Sequence, residues 1–120
     1  MILAISSEGK DLASPVNPRF GRTRYFIIYK TESGEFSVLD NQQNIHAAQG
    51  AGIQAAQALA RLGTDVVLTG NVGPKAFTTL QAAGIDVCIG ALGTAAEAID
   101  DFKAGRLKPV TKPNVVGHWS

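Results

Sequence analysis

The chain has 120 residues, 45% of them apolar, with 11 Lys plus Arg against 10 Asp plus Glu. That is the size of one domain with enough apolar mass for a core, and the near-zero net charge argues against wholesale binding to nucleic acid or to a membrane, which needs a large basic excess. The single Cys88 cannot form an internal disulfide, and the apolar run at residues 1–5 is too short for a signal peptide or a membrane span, so a soluble, cytoplasmic protein is expected.

Residues 1–5 are uniformly apolar, as in a central strand covered on both faces. Residues 6–24 are polar and broken by Gly9, Pro15, Pro18 and Gly21. So long a loop in a small domain usually carries function. It holds the densest cation cluster, Arg19, Arg22 and Arg24, with Phe20 and Gly21 between them. Residues 25–30, aromatic and β-branched, predict a second strand. Residues 32–34 predict a turn, and the alternating residues 35–39 a hairpin partner with one wet face. Residues 40–50 form a second polar loop carrying His46, which reads either as a solvated loop histidine or as a metal ligand.

Gly50, Ala51 and Gly52 open the first helix. Gln54, Gln57 and Arg61 mark its solvent stripe. Ile53, Ala56 and Ala60 mark the other side, with Ala55, Leu59 and Leu62 close by. Gly63 ends it. A pattern then occurs twice. The run 65–69 leads into Gly70-Asn71-Val72-Gly73 and Pro74, and the run 86–89 leads into Gly90-Ala91-Leu92-Gly93 and Thr94. Pro74 suits the first position of a helix whose buried face is expected to be Phe77, Leu80 and Ala83. Thr94 and Glu97 form a capping box for a third helix that turns Ile99 and Phe102 inward. These helices end at Gly84 and Gly105, so with Gly63 a helix-ending glycine recurs every 21 residues. A single α/β domain is expected to span residues 1–107. The tail 108–120, with Pro109, Pro113, His118 and Trp119, is expected to be loosely ordered.

The implied order is β, β, β, α, β, α, β, α. This is an α/β chain of the ribonuclease H-like, three-layer kind. Its five-stranded mixed sheet has strands 1–3 as an antiparallel meander and strands 4–5 parallel.

Ligands of such sheets gather at the carboxyl ends of the parallel strands. That edge carries the arginine loop, Gly70 with Asn71 and Gly73, and Gly93 with Thr94, with Gly50 to Gly52 nearby. Lys75 opposes the dipole of its helix, which hints at an anion in the neighbourhood. Backbone amides and guanidiniums together suit anions. The alternative is that the glycines only permit tight turns and the arginines are solvated. Asn71 is a polar contact or a residue tolerant of left-handed geometry. Cys88, inside an apolar strand, reads as a small buried hydrophobe.

Three motifs in register, Pro18-Arg19-Phe20-Gly21-Arg22, Gly50-Ala51-Gly52-Ile53-Gln54-Ala55-Ala56 and Gly70-Asn71-Val72-Gly73-Pro74-Lys75-Ala76-Phe77, resemble the dinitrogenase iron–molybdenum cofactor biosynthesis family. Gly93-Thr94-x-x-Glu97-Ala98 fits as well. The resemblance spans residues 1 to about 107. It implies the ribonuclease H-like fold and non-enzymatic binding or delivery of a molybdenum-containing metal–sulfur cluster. That cluster would be of the molybdenum–copper sulfide or iron–molybdenum cofactor type, taken from or passed to a partner protein. Many members have His where Arg19 stands, which weakens direct metal ligation there. One Cys cannot supply the four thiolates of an ordinary iron–sulfur cluster. A sulfido-molybdate unit brings its own sulfide and a negative charge, so arginines and amides can hold it non-covalently. The expected contacts are the motif residues with Arg24, His46 and Lys75, in a monomer or weak dimer.

Two other functions compete. The glycine loops allow a phosphate- or nucleotide-binding regulatory module, although neither a P-loop nor a dinucleotide fingerprint is present. A ribonuclease H-like nuclease needs converging carboxylates. The first strand has none, and Asp65 and Asp86 precede their strands and so belong to the opposite edge.

Overall fold

The computed structural model of the chain describes residues 1–45 and 50–114. His46, His118 and Trp119 lie outside the described residues. Five strands, β1 (Ile2–Ser7), β2 (Tyr25–Lys30), β3 (Phe36–Asp40), β4 (Val66–Leu68) and β5 (Asp86–Cys88), form one sheet in the order β3-β2-β1-β4-β5. The first three pair antiparallel. β4 runs parallel to β1, with Ile5 beside Leu68, and β5 runs parallel to β4. A short helix α1 (Gln42–Ile45) and a 3-10 turn over Phe20–Arg22 were not expected, and they organise the two polar loops. Helices α2 (Ala51–Arg61), α3 (Pro74–Ala82) and α4 (Ala95–Lys103) match the pattern read from the sequence.

The sheet is the middle of three layers. Side chains alternate along a strand, so β1 sends Ala4 to one face and Leu3 and Ile5 to the other. Ala4, Phe26, Ile28, Val67 and Val87 pack under α2 and α3. Leu3, Ile5, Ile27, Leu68 and Cys88 pack under α4 through Ala95, Ala98 and Ile99. Each large apolar side chain fully buried this way contributes roughly 1.5–3 kcal/mol. Burial on both faces explains why β1 and β4 read as continuous apolar runs rather than alternating ones.

Two buried faces differ from the sequence reading. In α2 the covered stripe is Ala51, Gly52, Ala55, Ala56 and Leu59, while Ala60 is exposed and Leu62 is 45% exposed. In α3 it is Ala76, Phe77 and Leu80, while Ala83 is exposed. Ala60 lies about 100° round the helix from fully buried Leu59, on the flank of the covered stripe. Leu62 and Ala83 are the C-cap residues of their helices. β3 departs as well. Its Phe36 is 41% exposed, because it is an edge strand whose far end reaches beyond the helices.

At the other edge the chain after α4 returns to the sheet. Pro109 bridges Cys88, and the Val110 amide donates to the Val87 carbonyl at 2.9 Å. No helix among the described residues is long and apolar enough to cross a membrane.

Candidate functional site

The parallel neighbours β1 and β4 end in hydroxyls. Ser6 Oγ donates to the Asn17 carbonyl at 2.7 Å, and Thr69 Oγ1 lies 2.8 Å from Ser6 Oγ, buried. With the Ser6 proton given to Asn17, Thr69 is the donor of that pair. The hydroxyls hold the loop around Asn17 across the strand ends. Asn17 in turn shapes the start of the arginine loop. Its Oδ1 accepts the Arg19 amide at 2.9 Å, an Asx-type turn, before the Phe20–Arg22 turn begins.

The arginine loop lies between the other two motifs. On one side Arg19 bridges Asn71 in parallel, the Phe20 amide donates to the Asn71 carbonyl at 3.2 Å, and Asn71 Nδ2 donates to the Pro18 carbonyl at 3.0 Å. A Cβ on Gly70 would stand 2.8 Å from Pro18 Cα, so only glycine lets the loop after β4 come this close. On the other side Gly21 rests on the first turn of α2, where a Cβ would stand 2.9 Å from both the N and Cα of Gly52. The Arg22 guanidinium donates through Nη1 to the Ile45 carbonyl at 2.7 Å and ties α1 to this arrangement. Three segments distant in sequence therefore share one sheet edge, with Arg19 exposed and Arg22 half-buried between them.

The helix starts around this edge are not alike. The N-caps of α2 and α3 are Gly50 and Gly73, and neither helix has a side-chain cap. Helix starts present amides with no partner inside the helix and a partial positive charge. Those of α2 and α3 face the arginine loop side of the sheet. Lys75, exposed in the first turn of α3, lines a shallow depression of about 370 Å³ with Ile53 of α2 and Pro74 and Thr79 of α3.

The start of α4 is closed. Thr94 and Glu97 form a complete capping box, with the Glu97 carboxylate accepting the Thr94 amide at 2.9 Å. The Ala95 and Ala96 amides donate to the Ser14 and Leu12 carbonyls, both at 2.9 Å. In the second glycine loop the Gly90 and Ala91 amides donate to the Gly70 and Thr69 carbonyls. Of Gly93 and Thr94, both expected in the pocket, the Thr94 amide is thus taken by Glu97, and the Gly93 carbonyl accepts the Val16 amide at 2.8 Å. Glu97 already fills the anion's place there, and Pro15 covers Thr94 through a β-bridge.

Phe20 is 2% exposed, its ring 5.2 Å from that of Phe26, so it anchors the loop in the core and presents no surface to a ligand. The Arg24 guanidinium lies 3.7 Å from the Asp40 carboxylate and over the Tyr25 ring, where it joins β2 to the end of β3. Ala51 is fully buried, and it and Gly52 serve as the platform under Gly21. His46 belongs to the stretch between α1 and Gly50, outside the described residues.

Residues that the sequence did not single out contribute as well. Asn17 could have been found from the Asn-Pro-Arg turn signal. Asn114 carried no signal. Its Oδ1 accepts the Val72 amide at 3.0 Å and its Nδ2 donates to Asn71 Oδ1 at 2.9 Å.

Among the described residues no three His, Cys, Asp or Glu side chains lie close enough together to hold a metal ion. Cys88 is fully buried, and burial, reinforced by the charge of Asp86, pushes its thiol from 9.0 up to about 11. Asp65 accepts the Ile2 amide at 2.6 Å, at the sheet edge opposite the arginine loop. Asp86 begins β5 at that same end.

A family model described as dinitrogenase iron-molybdenum cofactor matches residues 1–105. The chain belongs to this family. Its solved relatives include the apo form of the orange protein from Desulfovibrio gigas. That protein is 40% identical, with 95% of this chain and 96% of the other covered and a TM-score of 0.93. A Thermotoga protein provisionally assigned as NifB is 46% identical over 95% of this chain and 97% of its own, with a TM-score of 0.83. An uncharacterized protein of Methanocaldococcus jannaschii is 30% identical over 96 residues, which is 78% of this chain and 80% of the other. Membership associates the chain with proteins of the dinitrogenase iron-molybdenum cofactor.

Proposed function

We propose that this protein binds and carries an anionic, molybdenum-containing metal–sulfur cluster, without catalysis, at the edge where the arginine loop meets the starts of α2 and α3. The observation that carries the proposal is the convergence of three family motifs on one edge through the Arg19–Asn71 bridge and the Gly21–Gly52 contact. The donor set fits such a cargo. Guanidiniums and uncapped helix starts offer hydrogen-bond donors and positive potential to a sulfide-covered anion, and they do not need protein thiolates. In this reading Arg19, Arg22 and Lys75 supply charge. The Gly70, Asn71 and Gly73 segment supplies the wall on the β4 side, and Gly50 to Gly52 the wall on the α2 side. His46, four residues before Gly50 in the sequence, is the candidate metal ligand.

Family membership and the likeness to the orange protein support a molybdenum–copper sulfide cluster or an iron–molybdenum cofactor-like unit as the cargo. The same reading makes the protein a cytoplasmic carrier, monomeric or weakly dimeric, of ribonuclease H-like fold, that exchanges cargo with a cofactor-donating or cofactor-accepting protein and not with nucleic acid. The test is titration of apo-protein with tetrathiomolybdate and Cu(II), followed by desalting and measurement of the visible spectrum and metal content. A retained chromophore of fixed stoichiometry is expected. Loss of all metal on the column, together with thermal protection by nucleotides, would replace this reading with a nucleotide-binding regulatory module.

A further inference from the structure

We infer that Asn114 is the positioning residue of the loop Gly70 to Gly73, and that docking of the chain after α4 governs how firmly the pocket is held together. The inference rests on the proposed cluster pocket. The Asn114 carboxamide is used at both atoms. Its oxygen takes the Val72 amide and its nitrogen donates to Asn71 Oδ1. Asn71 continues the chain of bonds, donating to the Pro18 carbonyl from Nδ2 and accepting the Phe20 amide at its own carbonyl. One side chain beyond the family-matched region therefore connects to the arginine loop through a single residue, Asn71. A short side chain with a donor and an acceptor side by side is required at this position. Asp lacks the donor and Leu lacks both.

The segment that delivers Asn114 is lightly seated. Pro109 and Val110 pair with the edge of β5, and the chain then crosses a hollow of about 390 Å³ lined by Ile89, Val110, Pro113 and Asn114 itself. Asn114 is exposed. Two hydrogen bonds at such a place are each worth a factor of roughly 2 to 13 in equilibrium terms. The latch can therefore open without unfolding the sheet. When it opens, the Val72 amide loses its partner and Asn71 loses the group that orients its side chain toward Pro18.

The deciding measurement is amide hydrogen exchange by NMR on the full chain as wild type, Asn114→Ala and Asn114→Asp, which needs no cargo. Asn114→Ala should speed exchange at Val72 and Phe20 by about tenfold while leaving Leu68 in β4 unchanged. Asn114→Asp keeps an acceptor for Val72 and so should restore protection there but not at Phe20. Unchanged exchange at Val72 in Asn114→Ala would overturn the positioning role, as would equal acceleration at Leu68. With the molybdenum–copper chromophore preloaded, Asn114→Ala should release it about tenfold faster. Faster exchange with unchanged release would overturn the link between latch and pocket. A wild type that retains no chromophore would count against the proposed function, and Val72 exchange would then decide the positioning role alone.

Discussion

Gly21 lies so close to Gly52 that a single added carbon on Gly21 would stand 2.9 Å from the Gly52 backbone. The contact joins the turn that presents Arg19 and Arg22 to the first turn of α2, and neither side has a flexible group that could move aside. Gly70 has the same relationship to Pro18 at 2.8 Å. Gly21→Ala and Gly70→Ala should therefore each destabilise the fold by about 1–3 kcal/mol. Urea unfolding should show this as a lower midpoint with an unchanged slope. A neutral Gly21→Ala would mean that the two backbones separate freely, and the arginine loop would then not be anchored on α2.

The three arginines should behave differently in cluster retention. Arg19 and Arg22 border the shared edge, and hydrogen bonds to charged groups are worth about 1.5–3 kcal/mol each, so their alanine variants should hold the cluster roughly tenfold to a hundredfold less tightly. Arg24 faces Asp40 and the Tyr25 ring, so Arg24→Ala should retain it within about twofold of wild type, consistent with the small worth of exposed ion pairs. Equilibrium dialysis with metal analysis would measure all three. Equal loss in all three would point to diffuse attraction and not to a pocket.

The closed start of α4 makes the opposite prediction. Thr94→Ala removes the side chain that accepts the Glu97 amide and should cost about 1 kcal/mol of stability. Since the donors of that helix start are already used internally, the amount of cluster bound per folded molecule should not change. A variant of normal stability with weakened binding would return Thr94 to the pocket.

Cys88 provides a pH dependence. The thiol titrates near 9.0 in the unfolded chain and at about 11 in the fold, so between these values the unfolded chain releases a proton that the folded chain keeps. The contribution of the buried thiol to stability is complete below pH 9.0 and declines as pH rises toward 11, by about 1.4 kcal/mol per unit. Comparing wild type with Cys88→Ala by urea unfolding at pH 8 and pH 10 isolates this group from the lysines and tyrosines. The stability advantage of wild type should shrink by about 1 kcal/mol over that interval. A constant advantage would mean that the thiol titrates alike in both states.

Much of the architecture is legible in the sequence because it rests on short-range properties. Side-chain period distinguishes β1 and β4, buried on both faces, from β3, which is not. The glycines at 63, 84 and 105 each adopt φ between 75° and 80° just past a helix, a conformation that an L-residue resists. The Thr94 capping box is complete within four residues. The same locality explains the errors. Ala60 falls on the flank of its helix beside the buried stripe, and Ala83 is the C-cap of its own helix, where the last turn leaves the core.

For the pocket, the sequence alone determined which segments meet at the carboxyl edge, through the strand order and the family motifs. Tertiary structure decided which of them are open. Two loops of the same G-x-x-G form end differently. The Gly90 and Ala91 amides are taken by Gly70 and Thr69, and the helix after Thr94 is closed by Glu97, Ser14 and Leu12. Helix α3 starts at Gly73 without a side-chain cap. Phe20, Arg24 and Asn114 took their roles from partners in other parts of the chain: Phe26, Asp40 and Asn71. Whether a donor is free depends on every segment folded against it, and no local pattern carries that information.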